Sequence, residues 1–134
     1  MPVDVEIVSP ERLLLSRPVD MVVLPAYEGE MGVLPLHAPM IVLLRGGTVR
    51  LYEGGQVTER LFVSGGFAEI TGERVTILAD ETVAIADLSR AEGERRLAIA
   101  EAEYNAADRN DVGAGEFLMD RIQSARAMIE AASA

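Results

Sequence analysis

Residues able to do chemistry gather in four places. Between Glu28 and Met40 lie two acids, two glycines, two prolines and the only histidine, in the order Glu28-Gly29-Glu30-Met31-Gly32-Val33-Leu34-Pro35-Leu36-His37-Ala38-Pro39-Met40. Carboxylates on such a stretch suit a partner that presents Arg or Lys. The plainer reading is a solvated turn whose shape His37 holds by a hydrogen bond. Asp80-Glu81 with Asp87 and Arg90 make the second group. An acid and a guanidinium beside a helix start could hold the amine and phosphates of a nucleotide. Acids there also simply cap a helix or favour its dipole. Asp108-Arg109-Asn110-Asp111-Val112-Gly113 has the outline of a calcium loop. Its fifth position is Val112 and its twelfth is Met119, where the ion needs an oxygen and a bidentate Glu, so calcium is excluded. Arg95, Arg96, Arg109, Arg121 and Arg126 form the last group. They read either as a surface for an acidic partner or as a helical face of i,i+4 ion pairs worth ~0.3–0.5 kcal/mol each.

What is missing excludes more than what is present. The 134 residues contain no Cys, so disulfides, thiolate nucleophiles, iron–sulfur clusters and Cys zinc sites are out. All 12 positive charges are Arg, which removes a P-loop lysine and any lysine Schiff base. A single His leaves a Ser-His-Asp triad hanging on His37, with no nucleophile spaced to suggest one. Gly65-Gly66 precedes no helix and marks a bulge or turn rather than a dinucleotide fingerprint. With a net charge of −10, the chain repels nucleic acid and anionic lipid surfaces. No stretch approaches the roughly 18 apolar residues of a membrane helix, and Met1 to Glu6 has no basic and apolar leader. The expectation is a soluble cytoplasmic protein without direct membrane insertion.

The elements that must position these groups fall into two halves, 1–87 and 88–134. In the first, Val3, Val5 and Ile7 alternate with Asp4 and Glu6, the pattern of a half-buried strand. Further strands are expected at Met21–Leu24, closed by Pro25, at Ile41–Leu44 and at Thr48–Tyr52. Gly54-Gly55 then supplies the positive φ of a hairpin turn. Leu61–Val63, Phe67–Thr71, Val75–Ala79 and Val83–Ala86 complete the series. Short strands at this spacing point to an antiparallel sandwich or barrel. From residue 89 the period becomes helical. Ser89 and Glu92 form a capping box, and Leu97, Ala100, Tyr104 and Ala107 mark one stripe. A turn is expected over 108–115. Leu118, Ile122, Ala125, Ile129 and Ala132 then mark a second amphipathic helix. The contact face is rich in Ala, which buries little area, so the antiparallel hairpin is expected to be weak alone and able to open or dock elsewhere. Residues 89–134 carry six Arg and nine acids, net −3.

In this order the pieces resemble the epsilon subunit family of the F-type ATP synthase. The resemblance covers nearly the whole chain. It rests on Glu28-Gly29-Glu30-Met31-Gly32 followed by His37-Ala38-Pro39, on Val63 to Ile70, on Val75 to Asp80 and on Asp87-Leu88-Ser89-Arg90-Ala91. It implies a flattened sandwich of about ten strands followed by a two-helix hairpin, and a rotor role in the central stalk with no active site. It also implies the gamma subunit and the ring of c subunits as partners, contacted through Glu28, Glu30, Met31 and His37, with Glu30 meeting the polar loops of the ring. The expected location is the cytoplasmic face of the plasma membrane.

Two further family properties bear on the hairpin. In many bacterial members it extends along gamma and brakes ATP hydrolysis by setting basic residues against the beta subunit. A hairpin of net −3 without Lys is expected to inhibit weakly or not at all. Some members bind ATP at the junction of sandwich and hairpin. This chain keeps Glu81, Asp87, Arg90 and Ala91 of that pattern but has Ala86 in place of a bulky aliphatic, so no cofactor beyond weak ATP binding is expected. The alternative function is an ATP-sensing module that acts without gamma.

Overall fold

The computed structural model describes residues 2–133. Ten strands come first: β1 (Val3–Val8), β2 (Leu13–Val19), β3 (Met21–Ala26), β4 (Gly29–Val33), β5 (Met40–Leu44), β6 (Gly47–Glu53), β7 (Gln56–Val63), β8 (Gly66–Ile70), β9 (Arg74–Ala79) and β10 (Thr82–Ala84). A single 3₁₀ turn, Ile85–Asp87, leads to α1 (Arg90–Ala106) and α2 (Val112–Ser133). The strands run β10-β7-β6-β3-β5-β8-β9-β1-β2, with β4 paired to β3 alone. β3 and β5 meet through one residue pair, Ala26 opposite Leu44. The sheet folds over at that seam, and its two halves face each other as a sandwich. At the opposite side Arg17 of β2 reaches Glu53 of β6 and Glu59 of β7 at 3.9 and 3.6 Å.

Strand alternation fills the space between the layers. Val3, Val5 and Ile7 point inward with Val22, Leu24, Val49, Leu51, Ile70, Val75 and Ile77, all essentially sealed from solvent. No polar or charged residue is buried as a whole among those described, and the sealed side-chain oxygen left without a partner among them is Thr82 Oγ1 on β10. Gly54 and Gly55, at φ 62° and 77°, make the expected hairpin turn between β6 and β7.

Several local expectations are corrected. β2 and β4 were not foreseen, and Pro25 lies inside β3 rather than closing it. One pair, β1 with β9, is parallel; the sandwich strands between them form the crossover that helices usually supply. The turn between the helices is shorter than 108–115, because Gly113 and Gly115 lie inside α2. Asp111 starts that helix by accepting the Ala114 N–H at 3.1 Å. Half of the capping box forms. Ser89 Oγ accepts the Glu92 N–H at 3.1 Å, while the Glu92 carboxylate turns to Arg95 and Arg96.

The hairpin lies on the sandwich. Leu118, Ile122, Ala125 and Met128 of α2 are buried, with Gly93 and Ala100 of α1. Ile129 and Ala132 are only half-buried, so the stripe on α2 is rotated toward Met128 from the one expected, and on α1 the expected stripe residue Tyr104 is exposed. A Cβ on Gly93 would sit 2.8 Å from Ile129, so glycine there lets the helices approach closely. Phe62 lies on the face of β7 opposite to Leu61 and Val63, yet it is fully buried. The 3₁₀ turn and α2 lie over that face of β6 and β7.

Candidate functional site

The β3–β4 turn is built by a ladder running from Val22 opposite Val33 to Ala26 opposite Gly29. Gly29 takes φ 127°, a conformation side-chain-bearing residues avoid. Tyr27 N–H donates to the Leu43 carbonyl at 3.3 Å, which ties the turn to β5. Glu28 is exposed and makes no ion pair among the described residues. Glu30, two residues on, is engaged: Arg50 of β6 donates to its two carboxylate oxygens at 2.7 and 3.4 Å. Arg50 Nε also donates to the Tyr52 hydroxyl at 3.3 Å. Met31 alternates to the inner side and packs against the sandwich core.

Between this turn and β5 runs a groove of about 560 Å³, lined by Tyr27, Glu28, Met31, Met40, Ile41 and Leu43. Ile41 stands opposite Glu69, and Leu43 opposite Phe67. Ile41, Leu43 and Phe67 therefore share the outward face of β5 and β8, at 69%, 65% and 39% exposure. An apolar strip of this kind on a well-packed sandwich is a candidate contact surface.

His37 is not part of that turn. The five residues of β4, about 17 Å at ~3.4 Å each, run between Glu28 and His37, and Glu30 sits near the start of that strand. Its ring Nδ1–H donates to the Ala38 carbonyl at 2.8 Å, and its backbone N–H donates to Leu34 at 3.3 Å. Neighbouring Leu36 donates to the Gly72 carbonyl at 2.7 Å, which docks the loop on the β8–β9 turn. The stretch that reads as one loop in the sequence thus serves two ends of the sandwich.

At the junction of sandwich and hairpin, Glu81 accepts two hydrogen bonds from Arg96 of α1, at 2.6 and 3.0 Å. That bond from Arg96 is the main reason the Glu81 carboxyl titrates below its ordinary range, against the opposing effect of burial. Arg96 Nε also reaches Glu92 at 3.3 Å. Glu92 is drawn down to about 2, chiefly by the hydrogen bond from Arg95, with Arg96 adding to it. Arg90 faces elsewhere, donating to Glu94 at 3.0 Å and to Ser133 Oγ. Asp87 ends the 3₁₀ turn, exposed and without an ion pair among the described residues. Glu81 and Arg90 are each committed to a different partner, and nothing ties Asp87 to either. Arg121 pairs with Glu103 at 2.7 Å and lies 6.0 Å from the Phe117 ring. Arg126 lines a different groove, beside Arg50 and Glu130.

Asp108 and Asp111, the acids of the rejected calcium loop, accept the Asn110 and Ala114 N–H groups. No cluster of metal-ligating side chains exists among the described residues. No described helix is long and apolar enough to cross a membrane. The sequence reading missed three residues that organise these surfaces: Tyr27, Arg50 and Gln123. Arg50 was foreseeable as a polar position in an alternating strand, but nothing local pointed it at Glu30. Gln123 on α2 exchanges two hydrogen bonds with Gly46 and carries no sequence signal of its own.

Comparison with known proteins agrees with this architecture. Residues 2–85 match the family described as ATP synthase, Delta/Epsilon chain, beta-sandwich domain. The ATP synthase epsilon chain of Granulibacter bethesdensis is 65% identical over 95% of this chain and 94% of its own length. That of Gluconacetobacter diazotrophicus is 53% identical over 98% and 94%. Among solved structures, a chain of the Euglena gracilis mitochondrial ATP synthase OSCP/F1/c-ring assembly superposes with a TM-score of 0.72 at 26% identity, covering 94% of this chain and 80% of that one. A chain of the Tetrahymena thermophila mitochondrial ATP synthase central stalk and c-ring shares the fold at TM-score 0.72 and 12% identity, over 98% and 97%. A likeness that runs nearly end to end in sequence, on a ten-stranded sandwich with a helical hairpin, makes this chain a member of the ATP synthase epsilon-chain family.

Proposed function

We propose that the chain is a non-catalytic rotor subunit of the central stalk in a proton-translocating F-type ATP synthase, coupling the c-subunit ring to the gamma subunit and the catalytic head. The observation that carries this reading is the outward apolar strip of Ile41, Leu43 and Phe67 beside a turn that presents a free carboxylate. The strip suits a protein partner such as gamma, and Glu28 suits the basic polar loop of a ring subunit. Glu30 contributes with its charge already shared with Arg50. Residues 1–87 would act as the binding domain, and 88–134 as an appended hairpin that reaches the beta subunit weakly or not at all. The complex would hold the chain peripherally, at the cytoplasmic face of the membrane.

The test is to mix the full chain with a catalytic head lacking it and follow co-elution and ATPase rate together. One chain per head is the expected stoichiometry, and Leu43→Arg should weaken it at least tenfold. Failure of the unsubstituted chain to bind at micromolar concentration would overturn the assignment.

A further inference from the structure

The contact between hairpin and sandwich contains one polar feature of unusual geometry. Gly46, in the short connection from β5 to β6, donates its N–H to Gln123 Oε1 at 2.9 Å. Its carbonyl accepts from Gln123 Nε2 at 2.7 Å. One carboxamide of α2 therefore satisfies both backbone groups of one sandwich residue, 77 positions away in sequence and partly buried. The approach is close enough that a Cβ on Gly46 would lie 2.5 Å from the Ser124 Cα, a backbone atom that cannot rotate away. Glycine is required here by the contact, because Gly46 does not have a positive φ.

We propose that the Gln123 carboxamide and the Gly46 backbone form a neutral latch that keeps the hairpin docked on the sandwich. Both partners are neutral, so the latch is indifferent to salt. The other cross-junction tether, Arg96 with Glu81, is about one-third exposed on both sides and is screened by salt. The latch reads geometry, since losing the carboxamide leaves the Gly46 N–H and C=O facing α2 without partners.

The chain has no Cys, so two labels can be placed cleanly on the full-length protein at exposed positions, through Gln56→Cys at the start of β7 and Asn105→Cys on α1. Distance distributions between them report docking. In the absence of nucleotide, the parent pair should give one docked distance, and that distance should persist from 0.1 M to ~1 M salt. Gln123→Ala should shift the docking equilibrium toward open forms about 30-fold, as the loss of two hydrogen bonds predicts. Gly46→Ala should do the same by an independent route, the clash with Ser124, while thermal unfolding of the sandwich persists. The latch is overturned if both variants keep the parent distance, if salt alone opens the parent, or if the parent docks only after ATP is added.

Discussion

Leu36 is an exposed leucine held at φ 66°, the left-handed region that L-residues avoid at a cost of ~1–2 kcal/mol. Its N–H bond to Gly72 fixes that conformation, so the strain is maintained by the loop that also carries His37. Leu36→Gly should raise stability by about 0.5–1 kcal/mol, the relief of strain less the added freedom of the unfolded chain. Denaturant unfolding measures it, and a fall in stability would mean the leucine side chain makes packing contacts that outweigh the strain. The same substitution should weaken partner binding if the strained leucine is a contact residue. Glu92 gives a second test at this scale. Its folded pKa of about 2 lies below its ordinary value of 4.5. A depressed value means the contribution to helix stability is complete above pH 4.5 and is lost as pH falls toward 2. Carboxyl NMR titration should find Glu92 among the lowest-titrating acids of the chain, and Arg95→Gln should move it upward. Residue types were legible in the sequence and their pairings were not. Arg50 is 20 positions from Glu30, and Arg96 is 15 from Glu81, distances that only strand register and hairpin docking can close.

Elements were read well where burial alternates and poorly at the edges of the sheet. β1 and β9 announce themselves because every second residue is sealed in the core, and β6 because Val49 and Leu51 are sealed at its centre. β2 hides because it is an end strand with its first two residues exposed, and it can accommodate Pro18 where a central strand could not. β4 hides because Gly29, Glu30 and Gly32 are poor strand formers, held there by pairing to β3 alone. Gly65-Gly66 was legible as a turn or bulge, and the structure gives the reason. Gly66 opens β8 at φ 132°, and a Cβ there would lie 2.1 Å from the Leu78 carbonyl oxygen. Gly66→Ala should therefore cost about 3 kcal/mol or more by combining strain with a clash against fixed backbone. Its thermal midpoint should fall by roughly 10 °C; a change under ~2 °C would contradict the geometry. Phe62 tests the layer above. Its ring is sealed on the face turned away from the sandwich core. Phe62→Ala should cost ~3–5 kcal/mol and open the hairpin before it unfolds the sandwich. Amide hydrogen exchange should then rise first in α2, with β1 and β9 still protected.

For the whole molecule, the family and the two-part layout were legible from end to end, whereas the candidate contact surface was not. The sequence presents Glu28 to His37 as a single loop, but β4 sends its two halves to opposite ends of the sandwich. The apolar strip on β5 and β8 is invisible as a surface until the register sets Leu43 beside Phe67. Charge distribution sets the expectation for the hairpin in an assembled complex. Its six arginines are largely spent internally: Arg90, Arg95, Arg96 and Arg121 all pair with acids of the chain itself. That leaves Arg109 and Arg126 against a net charge of −3, and an acidic surface of a partner would be repelled rather than gripped. Extension of the hairpin would also break the Gly46–Gln123 contact and uncover Phe62, which opposes the change from the sandwich side. Both arguments have the same sign. ATPase rates of the assembled complex should therefore differ by less than about twofold between the full chain and one ending at residue 87. The truncated chain would need a check that it still binds one per head, because it exposes the face that α2 covers. A rise of tenfold or more on truncation, with binding intact, would show that the hairpin reaches the catalytic head despite its charge. It would also mean that the docked arrangement is only the resting half of a larger cycle.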